Sequence, residues 1–300
     1  MIPSNLRFSL PSYAKINLGL HITGKRLDGY HELATVFQQV GLCDYLHFEF
    51  SKSGNTTIDL AVSGNPELHS DKENLVYRAA SLFLAKIETN ISVSITLEKK
   101  IPIGAGLGGG SSNAAVALLG INHALGCPLN SAQLRILGAK LGADVPFFID
   151  GGLVFATGIG EKLSSIENKF DFKILLVSPG ISVSTHWAYS KVRLDLIRKS
   201  RNINLGSFVS KTSLAAWREN IENDFEEIVF LEYPQLKALK AMLYSLGADY
   251  ASLSGSGSTV FGIFSDRKTA EKAASAIRSP VQCNLVEPIY WGLRELESQN

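Results

Sequence analysis

Residues 101–113 read Ile-Pro-Ile-Gly-Ala-Gly-Leu-Gly-Gly-Gly-Ser-Ser-Asn, and Ala-Ala-Val-Ala-Leu-Leu follows at 114–119. The second run is a helix start. Glycines 104, 106, 108, 109 and 110 open conformations closed to other residues and leave no side chain between backbone N–H groups and an anion. Set against a helix N-terminus, such a loop cradles phosphate, because unpaired N–H groups and the helix dipole both favour negative charge. Ser111 and Ser112 are placed to cap the helix or to donate hydroxyls to phosphate oxygens. The stretch points to a bound nucleotide; the plainer alternative is a tight strand-to-helix turn without a ligand.

Three kinds of phosphate loop compete for this pattern. A Walker loop ends in Gly-Lys-Ser/Thr, whereas Gly110 is followed directly by Ser111. The dinucleotide fingerprint fits Gly104, Gly106 and Gly109, but it needs an acid about 20 residues on, and Asp144 is the first carboxylate after Glu98. The protein-kinase loop fits too, yet the chain lacks His-Arg-Asp and Asp-Phe-Gly. The loop has to be read by its company.

Around it, 300 residues with 45% hydrophobic and 19% charged content describe a globular chain of one large or two ordinary domains. A net charge of +1 gives no reason to expect nucleic acid or a membrane as partner, and the Arg198, Lys199, Arg201 cluster reads as a solvated face. Cys43, Cys127 and Cys283 are too few and too scattered for a disulfide framework or a zinc site. No apolar leader and no long apolar run appears, so a cytoplasmic location is expected.

Alternation of apolar residues from Ala14 to Ile22 predicts a strand with Lys15 and Asn17 on one face, and an Asp28-Gly29 turn leads to Tyr30-His31. Strands are expected at 46–50, 57–62, 91–97 and 151–156, and helices at 74–87, after the loop, and at 131–141. The stretch 142–146 breaks the pattern. The second half predicts a strand at 173–177, helices at 213–231 and 234–245, strands at 251–253 and 259–264, a helix at 268–278 and a strand at 281–288. That order is ferredoxin-like with an extra helix. The fold class is α+β, divided near residue 155.

Asp144 stands alone in an apolar, glycine-rich stretch, where a carboxylate is costly unless a cation or donor meets it. Lys15 is the candidate cation and would keep Asp144 ionised, ready to take an alcohol's proton. Asp144 also fits a plain turn or capping residue, and Lys15 a solvent-facing strand residue. Together with the loop they supply what phosphoryl transfer from ATP to an alcohol needs.

Three segments, Ser12–Leu18, Pro102–Ala115 and Leu253–Phe261, jointly resemble the GHMP kinases, small-molecule kinases named for galactose, homoserine, mevalonate and phosphomevalonate. Gly24–Leu33, Gly106–Ala115 and Leu141–Pro146 are similar to the branch acting on 4-diphosphocytidyl-2-C-methyl-D-erythritol, in the non-mevalonate route to isoprenoid precursors. The resemblance runs from about residue 11 to about residue 290.

It implies an N-terminal ATP-binding domain over 1–155, of the kind found as the second domain of ribosomal protein S5, and a ferredoxin-like domain over 156–300, with the active site in the cleft between them. It implies Asp144 as general base and Lys15 as its charged partner. Pro102, Ile103, Gly104, Ala105, Gly106, Leu107, Gly108, Gly109, Gly110, Ser111, Ser112 and Asn113 become the ATP loop, with Asn74 and Lys99 near the adenine. By the same resemblance Tyr30 would stack on the cytosine, His31 would meet the base edge, and Tyr189 would take the second stacking position, a phenylalanine in some relatives. Asn17 would help hold the erythritol end, and Thr185 sits where the family pattern has a threonine. Mg²⁺ is expected with ATP, without an assigned protein ligand, in a monomer or homodimer. Another GHMP kinase, of homoserine or mevalonate type, a non-catalytic nucleotide-binding regulator and an RNA-binding protein are the alternatives. The last is disfavoured by charge.

Overall fold

The computed structural model describes residues 6–193, 204–278, 280–290 and 292. The Arg198, Lys199, Arg201 cluster lies outside them. In chain order the elements are β1 (Leu6–Lys25), β2 (His31–Lys52), β3 (Thr57–Ser63), α1 (Leu75–Ile87), β4 (Ile91–Glu98), α2 (Gly109–Ala124), α3 (Ser131–Ala139), α4 (Val145–Asp150), β5 (Leu153–Gly158) and β6 (Lys162–Ser165). Then follow β7 (Lys173–Ser178), α5 (Thr185–Ser190), α6 (Leu205–Lys211), α7 (Leu214–Asn220), α8 (Phe225–Glu232), α9 (Pro234–Ser245), β8 (Tyr250–Leu253), β9 (Val260–Phe264), α10 (Arg267–Ala276), β10 (Gln282–Val286) and β11 (Pro288–Ile289).

Strand β2 is the spine of a seven-stranded sheet, pairing antiparallel with β1, β4, β5 and β11. It runs well upstream of the expected strand at 46–50, because Thr35, Gln38 and Gln39 are buried among apolar neighbours and erase the alternation that marks a strand. The second sheet has the order β10-β7-β9-β8 and is antiparallel throughout. This is the ferredoxin-like arrangement, in which the first and third strands occupy the centre. The sheets part between Ser165 and Lys173, since β5 and β6 both belong to the first. Strand β11 returns from the second half to pair with β2.

Two expectations for helices are corrected. The stretch at 142–146 does not merely break a pattern: Pro146 occupies the first turn of α4, where its missing N–H costs nothing. The helix expected over 213–231 is two helices, parted at residues 221–224, where Asn223 and Asp224 bond to neighbouring strands instead.

Helices α1 to α4 pack on one face of the first sheet, around Phe48, Phe50, Phe83 and Phe147. The other face meets the second sheet through Ile16, Leu18, Ile174, Phe261 and Trp217. The outer face of the second sheet is covered by α5, α8, α9 and α10. Burial of so much apolar surface, at about 25 cal/mol per Å², fixes both sheets around the ends of β1, β2 and β8, and the candidate site lies at that junction.

Candidate active site

A cavity of about 1080 Å³ opens where the glycine loop, the β1–β2 hairpin, the start of α4 and helix α5 converge. The loop is shaped from below. Asp44 of β2, fully buried, accepts the backbone N–H groups of Lys100 at 2.7 Å and Ile101 at 2.8 Å, which aims the chain leaving β4. Gly106 then passes so close to the turn after β8 that a Cβ there would stand 2.0 Å from the Ser254 carbonyl oxygen. Gly108, at φ 69°, is the N-cap of α2, and no side chain closes that helix end. The first N–H groups of α2 therefore face the cavity as an anion site.

The turn after β8, Ser254–Ser258, buttresses the loop. Ser254 Oγ donates to the Gly106 carbonyl at 2.9 Å, and the Thr259 N–H donates to Ala105 at 3.1 Å. Asn223 holds the turn in place, its Nδ2 donating to the carbonyls of Leu253 and Gly255, both at 2.8 Å. Gly255 and Ser256 reach the cavity wall.

Lys15 emerges from β1 into the space under the loop. Its Nζ donates to Asn17 Oδ1 at 2.6 Å and to the Gly106 carbonyl at 3.0 Å, and stands 3.7 Å from Asp144 Oδ2. Burial pushes the Lys15 ammonium below the ordinary lysine range, and the Asp144 carboxylate pulls it back up. Asp144 precedes α4 but makes no side-chain cap bond, and with its side chain 32% exposed it faces the cavity. Capping does not account for this carboxylate.

At the far end of the cavity the hairpin presents Tyr30, which is 61% exposed, and His31. His31 lies face-on against Tyr189, with ring centroids 5.1 Å apart and planes 19° apart. Tyr189 in turn meets Phe225 edge-on at 4.9 Å. Burial, and secondarily Asp144, pushes the Tyr189 hydroxyl up to about 12, so it stays protonated. Burial, with nearby Lys25, holds His31 below its usual range and therefore neutral at pH 7. Thr185 Oγ1 pairs with Ser256 Oγ at 3.0 Å across the seam between α5 and the turn.

Most of the expected residues thus share one cavity, but several side chains are already committed. Ser112 is the clear correction: its hydroxyl accepts from Ser12 at 2.8 Å inside the core and its N–H closes the first helical turn onto Gly108, so it does not face the cavity. Asn74 lines the cavity while its amide caps α1 and donates to His69. Lys99 is drawn to Asp44 at 2.5 Å, and Asn113 bridges Asp44 and Ser12. Asn17 spends one end of its amide on Lys15 and the other on Thr35.

Comparison with known proteins places this geometry. The model of the GHMP kinases N terminal domain matches residues 74–152, and that of the GHMP kinases C terminal domain matches 207–282. The chain is 41% identical over 278 residues to a 4-diphosphocytidyl-2-C-methyl-D-erythritol kinase from Syntrophotalea carbinolica, covering 92% of this chain and 97% of the relative. The chain belongs to the GHMP kinases. A crystal structure of 4-(cytidine 5'-diphospho)-2C-methyl-D-erythritol kinase superposes on this GHMP kinase with a TM-score of 0.77 at 35% identity, over 93% of this chain and 99% of that one. Homoserine kinase from Cytophaga hutchinsonii shares its fold, with a TM-score of 0.66 at 16% identity over 97% of each chain.

Four residues of this GHMP kinase's site carried no expectation from sequence: Thr35, Asp44, His186 and Asn223. Thr35 and His186 line the cavity, and Asp44 and Asn223 hold the loop and its buttress. Asp44 had a usable signal, since it is a lone carboxylate in the run Gly41-Leu42-Cys43-Asp44-Tyr45-Leu46, as Asp144 is in its own run. Among the described residues no group of three or more His, Cys, Asp or Glu side chains is placed to hold a metal ion, and no helix is long and apolar enough to cross a membrane.

Proposed function

We propose that this protein transfers the γ-phosphoryl group of ATP to the C2 hydroxyl of 4-diphosphocytidyl-2-C-methyl-D-erythritol. The observation that carries the reading is that the Lys15–Asp144 pair lines the same cavity as the N-terminus of α2 and the aromatic rim of Tyr30, His31 and Tyr189. The α2 end and the loop N–H groups hold the triphosphate. The rim takes the cytosine: a base packed between Tyr30 and Tyr189 displaces the His31 imidazole from the Tyr189 face, and the neutral imidazole then meets the base edge.

In the transfer step the hydroxyl proton passes to Asp144 as the oxygen attacks the γ-phosphorus. The bond from phosphorus to the β–γ bridging oxygen breaks, and ADP leaves. Lys15 keeps Asp144 ionised and offsets the charge that gathers on the phosphoryl oxygens. The site offers oxygen donors, the Ser111 hydroxyl on α2 and the Asp144 carboxylate, which suits Mg²⁺ bound chiefly through phosphate and water. Bound there, Mg²⁺ would neutralise phosphate charge.

The direct test is ATP consumption by the purified chain with each acceptor in turn. Turnover is expected with the cytidine-diphosphate acceptor and not with homoserine or mevalonate; turnover with either of those overturns the acceptor assignment. Lys15 adds a pH signature. Its ammonium is lost below the exposed-lysine value of 10.5, so kcat is expected to fall on the alkaline side with a midpoint under that value. Stability moves the other way. Because the folded pKa is lowered, the unfolded chain binds more protons between the two pKa values, and Lys15's contribution to folding rises with pH across that window. Rate profiles set beside urea denaturation over the same pH range check both signs.

A further inference from the structure

Thr35 of β2 lies opposite Leu20 of β1 and is fully buried within the cavity wall. A threonine hydroxyl has one proton to give. Thr35 gives it to the Gly19 carbonyl at 2.6 Å, so its oxygen acts as acceptor, and Asn17 Nδ2 donates to it at 2.8 Å. The other end of that amide, Oδ1, is aimed at Lys15 Nζ, the shortest contact the ammonium makes. The hydroxyl therefore borders the cavity with no proton left for a ligand.

We propose that Thr35 is a positioning residue for Lys15, holding the Asn17 amide so that the ammonium stays between the Gly106 carbonyl and Asp144. A valine at 35 fills nearly the same volume but leaves Asn17 Nδ2 buried without an acceptor. A buried unpaired donor is expensive, so the Asn17 side chain turns away and Lys15 loses its tether on that side. The Phe37 ring, 5.3 Å from Nζ, offers no hydrogen bond in exchange. The role rests on the reading of Lys15 and Asp144 as the reacting pair.

The experiment compares Thr35→Val and Thr35→Ser in the full chain. Thr35→Val is expected to lower kcat about a hundredfold, the scale of a displacement of about 1 Å at a reacting centre. The KM for ATP should stay within about twofold, because the loss falls on the transition state. Thr35→Ser keeps the hydroxyl and should restore most of the rate. In the substrate-free protein, the Asn17 side-chain amide protons should exchange slowly in the wild type and in Thr35→Ser, and fast in Thr35→Val, read by ¹⁵N NMR. Unchanged kcat, slow amide exchange in Thr35→Val, or a loss that Thr35→Ser fails to restore overturns the proposal. Should Thr35→Val not fold, the pair Asn17→Ala and Asn17→Ala/Thr35→Val removes the stranded donor and decides the matter. The double variant should be no slower than Asn17→Ala, and a further loss overturns the proposal. A wild-type chain that turns over none of the acceptors overturns the kinase reading instead, while the amide exchange still judges Thr35.

Discussion

Asp144→Asn is expected to lower kcat by roughly 10²–10⁴-fold, the range that a positioned general base contributes, with ATP binding unchanged. The substitution keeps the shape and removes the site for the proton. It should not unravel α4, because Asp144 makes no side-chain cap bond to that helix and its side chain is a third exposed. Nor does it touch the structures proposed to hold the triphosphate, the loop pinned by Asp44 and Ser254 and the uncapped end of α2. Lys15 keeps its bonds to Asn17 and Gly106 and stays in place. Steady-state rates with saturating acceptor, beside a direct nucleotide titration, separate the two effects. Wild-type turnover in this variant would leave positioning and the loop's charge to carry the reaction, with no role for a base.

Asp44→Asn is expected to strike stability first. The carboxylate is fully buried and receives Lys99 Nζ, Asn113 Nδ2 and two backbone N–H groups. An amide turns two of those acceptor positions into donors and strands the Lys99 ammonium, which is itself buried. Removing one partner of such a pair costs about 3–5 kcal/mol, measurable as a lowered urea midpoint. The loss should come with a raised KM for ATP in whatever fraction remains folded, because the same carboxylate ties the start of the loop to Asn113 of α2. A midpoint equal to the wild type's would show that these bonds are replaceable by solvent.

Local chemistry made part of this site legible from sequence. The period of two around Lys15 places it with Asn17 on one face, and the five glycines before an alanine-rich run announce a helix N-terminus bared to an anion. Pairing of Lys15 with Asp144 is a statement about tertiary space: the residues offered it beside plainer readings of each, and motif resemblance singled it out. Two kinds of feature stayed hidden. One is the polar residue buried in a strand, such as Thr35 or Gln38, which reads as noise in an apolar alternation although its partners lie one strand away. The other is the side chain whose work is spent on the backbone. Asn74 is of a type favoured as an N-cap and sits just before α1, yet nothing in the identity of Ser112 says that it turns into the core. The break between α7 and α8 belongs with these, because Asn223 leaves the helix to hold the turn after β8, a partner 30 residues further on.

Strand β2 sets the distance between the two ends of the cavity. His31 at its start stands in the rim, Thr35 follows beside the Asn17 amide, and Asp44 lies under the glycine loop, all on the one strand β2. The spacing between the two ends is therefore covalent, counted in residues along a single backbone. The molecule carries its own ruler, graduated in peptide units. The pairing of β2 with β1 already slips at Gly41 and Leu42. A residue gained or lost between Thr35 and Asp44 would therefore turn one end inside out relative to the other unless a further bulge took it up, whereas the hairpin tip at 26–30 can change length and leave the measure intact.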